Sequence, residues 1–485
     1  MKEDLLREAI SKEYGEVVPQ KETFATHLKQ IAKFFSLKIL VSLFPYVSKE
    51  DLVRLILLYA RLFGGNSADY LEELRDYLQN SHFGEITHRI SRLAHPKALQ
   101  AIALNLLVEG LIVREQKRIQ EELRGGAVPY ALLLSPTARC NLKCSGCFAA
   151  NYPIKDELPF ELFDRVLTEA EDMGVAVMTI LGGEPFLYPH LYDLLAHHPK
   201  SFFFIFTNGT LIDEAAVRKL KELANMLLIL SLEGFREQTD RRRGPGTFDK
   251  VMEVMSLLRR EKVPFGYSVT VTRENEPVVA SQSFIDLMIH KGALMGWMFL
   301  CMPVGRNPDP DLLPTPEQRA HMLEFVNWVR DTRPIFMIDF WNDAPYVGGC
   351  IAGKYYAHIT SKGYVEPCIF THFAQDNIKE KSLREAMNSP FFRELRRRQP
   401  FNVNLYLPCM WIDNPEVSRE LYSGLNLCPT HPGATDILED PAVRAKIDTY
   451  SQRLKEVYRP LWERDSYNLE GFLKIKKSVM DLFCH

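Results

Sequence analysis

The chain has 485 residues with 59 basic against 62 acidic side chains, a net charge of −3, which excludes a nucleic-acid protein carried by a broad basic field. Hydrophobic residues at 46% and charged ones at 25%, with only 26 Gly and 29 Pro, exclude a disordered or collagen-like chain. A globular protein of about three domains, at ~150 residues each, is expected. Nine cysteines, three of them crowded between positions 140 and 147, make a poor disulfide framework for a chain this long. The opening Met1-Lys2-Glu3-Asp4 has no uninterrupted apolar core of the kind a secretory signal carries. A cytoplasmic protein is therefore expected, and clustered thiols there point to metal or redox chemistry.

Residues 24–123 carry a helical pattern, with apolar runs at 34–44, 51–61 and 98–113. Each run is interrupted by a charged or polar residue or a proline before it reaches the ~20 apolar residues that span a bilayer. An all-α N-terminal domain over 1–125 is expected, mostly an ordinary bundle, with peripheral contact to a membrane surface as the bolder reading. From 130 to 333 strand and helix patterns alternate, with strands at 131–134, 175–181, 202–206, 227–232, 265–271 and 297–301. Six strands each followed by a helix imply a parallel α/β sheet curled into a partial (β/α)6, TIM-like barrel, with chemistry at the C-terminal strand ends. Residues 334–435 are loop-rich, and 436–485 form a charged helical tail.

Directly after the first strand stands Cys140-Asn141-Leu142-Lys143-Cys144-Ser145-Gly146-Cys147-Phe148. Three thiols at this spacing suit one soft metal centre. Zinc would want a fourth protein ligand nearby, whereas an iron–sulfur cluster on three thiolates leaves one iron open; the place at a strand end favours the second. At the end of the second strand stands Leu181-Gly182-Gly183-Glu184-Pro185, whose glycines permit backbone approach to a ligand on the same rim.

With these motifs together the chain resembles a radical S-adenosylmethionine enzyme over residues 130–330. The resemblance continues in order through Thr207-Asn208-Gly209-Thr210 and Ser231-Leu232-Glu233-Gly234, and then Asp240-Arg241-Arg242-Arg243-Gly244. It implies that Cys140, Cys144 and Cys147 hold a [4Fe–4S] cluster. It further implies that Gly182, Gly183, Glu184 and Pro185 lie at the methionine amino group, with Asn208 on the same rim. Ser231 and Glu233 fall near the ribose, and the backbone around Phe148 near adenine. S-adenosylmethionine would be cleaved to a 5′-deoxyadenosyl radical, chemistry that belongs to the cofactor, with electrons from a flavodoxin or ferredoxin type donor.

Cys350 and Cys368 are separated by twelve residues, Gly363 and four more, with Ser361-Lys362-Gly363 as the turn of a hairpin. This spacing resembles the opening of the SPASM and Twitch auxiliary-cluster domains. The dense second run of cysteines in a full SPASM domain is missing, so one auxiliary [4Fe–4S] cluster is expected on Cys350, Cys368 and Cys409, with Cys428 a further candidate. A zinc site is the alternative. Cys301 and Cys484 are read as bystanders, Asp339 and Asp343 as structural, and His372 as a ligand or proton donor. Arg241, Arg242 and Arg243, with Arg393, Arg396, Arg397 and Arg398, are read as solvated faces or ion pairs.

The greasy N-terminal stretch leads to an expected substrate: a lipid acyl chain, attacked at an unactivated C–H bond. Peptide or protein maturation is the alternative, and a non-catalytic redox or zinc scaffold a third. No nucleic-acid partner is expected.

Overall fold

The computed structural model describes residues 83–484, with Asp51, Arg54, Leu57 and Leu58 before them. The other helices expected before residue 83 lie outside the described residues. Seven parallel strands pair in chain order: β1 (Ala131–Leu134), β2 (Val177–Ile180), β3 (Phe203–Thr207), β4 (Met226–Leu232), β5 (Phe265–Val271), β6 (Met295–Leu300) and β7 (Phe336–Asp339). The seventh extends the expected six. It lies inside the stretch read as loop-rich, four residues long and led by the exposed Phe336, too short to show a period of its own.

Burial alternates along β3, where Phe203, Ile205 and Thr207 pack under the outer helices while Phe204 and Phe206 are only partly covered and face the barrel's interior. The helices α3 (Phe160–Met173), α5 (Glu214–Leu223) and α7 (Thr247–Glu261) bury one stripe each onto the sheet, as right-handed crossovers require. For reference, α4 is Leu191–His197, α6 is Arg236–Arg243, α8 is Gln282–Lys291 and α9 is Pro316–Thr332. A capping box, Thr315 with Gln318, sets where α9 begins.

The helices before β1 are built into the barrel. Arg89 on α1 (Phe83–Leu93) donates to the carbonyls of Ile289, Ala293 and Pro334. The rod α2 (Pro96–Leu123), π-wound over Ile102–Val113, is long and apolar enough by composition to cross a membrane. Here Ile102 and Leu106 pack against Phe202, Leu227, Ile229, Leu294 and Met295, at the N-terminal ends of the strands. The buried Arg114 donates to the Val175 carbonyl and the Ser201 hydroxyl, just ahead of β2 and β3. The rod is the barrel's floor.

The sheet continues beyond β1. The hairpin β8 (Tyr356–Ile359) and β9 (Tyr364–Glu366) turns through 360–363, and β8 pairs in parallel with β1. With β11 (Asp376–Asn377) on β9, one ten-stranded sheet runs from the cluster region through the barrel. β10 (Phe373–Ala374) and β12 (Cys428–Pro429) form a separate small ladder.

Candidate active site

The segment after β1 carries Cys140, Cys144 and Cys147, all free and half-buried. Three neighbours grip its backbone. From β2, Gly183 and Glu184 donate their N–H groups to the carbonyls of Thr137 (2.9 Å) and Arg139 (2.7 Å). From α6, the Arg242 carbonyl accepts from Ser145 (3.0 Å) and its guanidinium donates to the Gly146 carbonyl (3.2 Å). From the segment after β6, Arg306 donates to the Cys147 carbonyl through its N–H (3.1 Å) and to the Cys144 carbonyl through its side chain (3.3 Å).

Two glycines make this grip sterically possible. A Cβ on Gly183 would sit 2.1 Å from the Arg139 carbonyl oxygen, and one on Gly305 2.3 Å from that of Cys147. The glycine pair at β2 thus serves first to let the chain's own cysteine loop lie against it. A ligand's approach to that backbone comes on top of this packing need.

Glu184 is 1% exposed. Its carboxylate accepts from the Thr207 hydroxyl (2.7 Å) and from the N–H groups of Asn208 (2.8 Å) and Phe186 (3.2 Å), tying the end of β2 to the end of β3. Burial pushes its pKa up against these bonds. Pro185 opens the 3-10 turn Pro185–Leu187. Asn208 donates to the Asn141 side chain (2.9 Å) inside the cysteine loop. Ser231 is half-buried on β4, opposite Ser268.

Glu233, near whose position a ribose contact is expected, holds two arginines. Its buried carboxylate accepts from Arg242, from Arg243 and from the Thr270 N–H. The two arginines are therefore ion-paired, but inside the site. The charges of Arg243 and Arg242 oppose the burial that pushes the Cys144 thiol up. Burial pushes Cys140 up to about 11. Sequence reading allowed ion pairs for these arginines but not their place at the cysteine loop, for which the run at 241–243, beyond the β4 motif at 231–234, gives no signal.

In the second region Cys350, Cys368 and Cys409 come together: each is buried deeply enough to be pushed up, to about 11 for Cys350 and about 12 for Cys409, and Cys368 lies within charge range of both. Cys428 stands apart. It is exposed on β12, its sulfur 4.0 Å from the Tyr364 hydroxyl. The fourth candidate is thus not gathered with the other three, because β12 pairs with β10 and that ladder turns it outward. The Cys409 loop is anchored by Asp413, which accepts from the Cys409 N–H (2.9 Å) and forms a fully buried ion pair with Arg319 of α9 (2.6 Å). His372 turns away from the thiols to the His431 ring (2.6 Å) and the Ile369 carbonyl (3.0 Å). Burial, then the neighbouring His431, holds its pKa well below the ordinary range. Asp339 and Asp343 hold the turn after β7, Asp339 with Asn342 and Asp343 with Arg330. Phe148 meets Phe370 edge-on at 5.8 Å, joining the two cysteine regions.

Thiolate chemistry fits both sets: the thiols are unpaired, and backbone N–H groups point at sulfur, Leu142 at Cys140 (3.5 Å) and Trp411 at Cys409 (3.4 Å). Among the described residues no three Cys, His, Asp or Glu side chains close tightly enough to hold a single metal ion.

The family description "Radical SAM superfamily" matches residues 134–278, and "Iron-sulfur cluster-binding domain", SPASM, matches 350–410. The second match includes Cys350, Cys368 and Cys409 and ends before Cys428. The chain is 30% identical over 355 residues to the mycofactocin maturase MftC of Mycobacterium tuberculosis, covering 67% of this chain and 88% of that protein. It is 25% identical over 298 residues to the AdoMet-dependent heme synthase of Methanosarcina barkeri, covering 55% and 85%. The crystal structure of Streptococcus suis SuiB bound to S-adenosylmethionine shares the fold, with a TM-score of 0.50 at 19% identity over 62% of this chain and 73% of that one. The chain belongs to the radical SAM superfamily, as an enzyme with a C-terminal SPASM domain, whose cofactors are S-adenosylmethionine, the [4Fe–4S] cluster that binds it and auxiliary iron–sulfur.

Proposed function

We propose that the protein is a radical maturase acting on a peptide. The observation that carries this is the 30% identity to a maturase of which the chain covers 88%. Two further relatives point the same way: the sporulation killing factor maturation protein SkfB and the subtilosin biosynthesis protein AlbA, both of Bacillus subtilis, at 24% and 26% identity. A lipid substrate, the expectation drawn from the greasy N-terminal stretch, finds no support among these relatives. Part of the apolar surface of α2, at Ile102 and Leu106, packs on the barrel floor.

On this reading Cys140, Cys144 and Cys147 hold the catalytic cluster and Cys350, Cys368 and Cys409 an auxiliary one. When bound, the cluster and S-adenosylmethionine supply the 5′-deoxyadenosyl radical. The chain's own residues do the rest. The Gly183 and Glu184 backbone and Arg242 hold the cysteine loop in place, and Arg242 and Arg243 offset its negative charge. Inside the barrel Phe206, Trp297, Phe299 and Phe340 form a continuous aromatic wall, with neighbouring rings 5.2–5.5 Å apart from Phe206 to Phe340. This wall excludes water and competing hydrogen donors from a radical. Two buried donors on it, the Trp297 indole N–H and the Tyr356 hydroxyl, have no partner of their own, and a peptide carbonyl would satisfy either.

The test is anaerobic reconstitution with S-adenosylmethionine, a reductant and deuterium-labelled small peptides encoded beside the gene. Deuterium in 5′-deoxyadenosine together with a mass change in the peptide supports the reading. Transfer from a labelled porphyrin or lipid, with peptides inert, would overturn it.

A further inference from the structure

One ion pair is shut off from water on both sides. Arg319 of α9 and Asp413 are each 0% exposed, the only pair among the described residues for which both side chains are. Arg319 Nη1 donates to Asp413 Oδ1 (2.6 Å), and Nη2 donates to Asp413 Oδ2 (3.3 Å) and to the Tyr406 carbonyl (2.8 Å). The same Oδ2 accepts from the Cys409 N–H (2.9 Å). In return the N–H groups of Asp413 (3.1 Å) and Asn414 (3.0 Å) donate to the Cys409 carbonyl. The carboxylate therefore bonds the thiol loop on one side and the guanidinium on the other. Cys350 lies within charge range of it as well.

Stability alone does not call for this arrangement. Taking two charges out of water costs about what their attraction returns, and an apolar pair of like volume fills the same space as well. What the ion pair adds is a field. In a dry interior it is poorly screened, and the potential of an iron–sulfur cluster follows the charge and hydrogen bonding around its ligands. Both charges are held in place. The Arg319 guanidinium lies 5.3 Å from the ring centre of Tyr458, on the C-terminal helix Pro441–Cys484. The Arg319 carbonyl accepts from the Asn342 amide (3.1 Å), whose oxygen accepts from the Tyr458 hydroxyl (2.8 Å). Ser451 of the same helix donates to the Asp413 carbonyl (2.7 Å). The order of the two charges, carboxylate nearer and guanidinium farther, fixes the sign of the field at the thiols.

We propose that Arg319 and Asp413 are positioning residues that poise the reduction potential of the auxiliary cluster on Cys350, Cys368 and Cys409. Reduction adds one electron to that cluster and takes one from an external one-electron carrier; no bond forms or breaks. Asp413 opposes the added negative charge, and Arg319 relieves that opposition. The two residues therefore act with opposite signs and as one unit, so that deleting both charges leaves the surroundings of the thiols neutral again. This role rests on the auxiliary ligand set given above and not on the peptide reading.

The test is a redox titration of the reconstituted holoenzyme, followed by electron paramagnetic resonance. It compares the wild type with Asp413→Asn, Arg319→Met and the double variant. The auxiliary signal is the one that S-adenosylmethionine leaves unaltered and that Cys368→Ala removes. A signal that persists in Cys368→Ala would overturn the ligand set and this role together. Poised at the wild-type midpoint, Asp413→Asn should raise the ratio of reduced to oxidised cluster and Arg319→Met should lower it. Each shift should be about tenfold, which is 59 mV for one electron. The double variant should return close to the wild-type midpoint. If Arg319→Met does not load its iron, Arg319→Lys takes its place and, keeping the charge, should hold the midpoint that Asp413→Asn moves. A merely structural anchor changes iron content and melting temperature without an opposed pair of shifts. A midpoint unmoved in Asp413→Asn, or moved the same way in Asp413→Asn and Arg319→Met, would therefore overturn the proposal.

Discussion

The two cysteine regions solve one problem by opposite means. The loop at Cys140, Cys144 and Cys147 is local in sequence, half-buried, held by backbone bonds from three sides and compensated by Arg242, Arg243 and Arg306. Cys350, Cys368 and Cys409 are spread over sixty positions, likewise half-buried, and have Asp413 and Glu366 as charged neighbours in place of arginines. The local loop offsets charge with cations, whereas the set assembled from distant segments relies on an anchored scaffold around it.

The comparison breaks most sharply at the ligands. Cys144→Ala should take 5′-deoxyadenosine formation below detection, whereas Cys428→Ala should leave iron content unchanged and Cys368→Ala should lose about four irons per chain. Iron loss in Cys428→Ala would restore that residue as a ligand. The next largest effect is at the scaffold. Arg319→Met leaves Asp413 buried and unpaired, and should cost about 3–5 kcal/mol in denaturant unfolding, with much of this recovered when Asp413 is also made apolar. Gly305→Ala tests the grip on the first loop. Its φ of +81° and the approach of the Cys147 carbonyl predict a loss of about 1–3 kcal/mol and weaker S-adenosylmethionine binding, measured by thermal shift and calorimetry.

The smallest effect comes from what burial costs an acid that Arg330 offsets only in part. Burial, then Asp343, raises Asp339 to about 6. The folded carboxyl binds its proton more tightly than the unfolded chain does, so this group's contribution to stability falls as pH rises from about 4 through 6. Asp339→Asn should therefore stabilise by about 1–2 kcal/mol at pH 8 and by almost nothing near pH 4. An equal gain at both would show that the charge is not the cause.

What sequence alone disclosed was local. The strand–helix alternation, the cysteine spacing, the Gly182-Gly183 pair and the turn at 360–363 each lie within a few residues, where period and turn chemistry act. The β1–β8 pairing joins residues more than two hundred positions apart, and the bonds from Ser135 to His358 and from Arg242 to Gly146 have no local signature. Arg242 reads as one basic residue among four on an eight-residue helix; only the fold turns it onto Glu233 and the cysteine loop. The floor helix is ambiguous for a related reason. An apolar rod looks the same whether it meets lipid or the underside of a barrel.

The pairing of β8 with β1 also orders events in time. A chain emerging from the ribosome finishes all seven barrel strands before residue 356 exists, so β1 waits as an open edge. Unpaired edges recruit other strands, and closure across so long a loop is slow. The hairpin is thus the stopper of the barrel as well as part of the cluster region. A nascent or truncated chain ending before it would present β1 to its neighbours, making self-association the hazard specific to this fold.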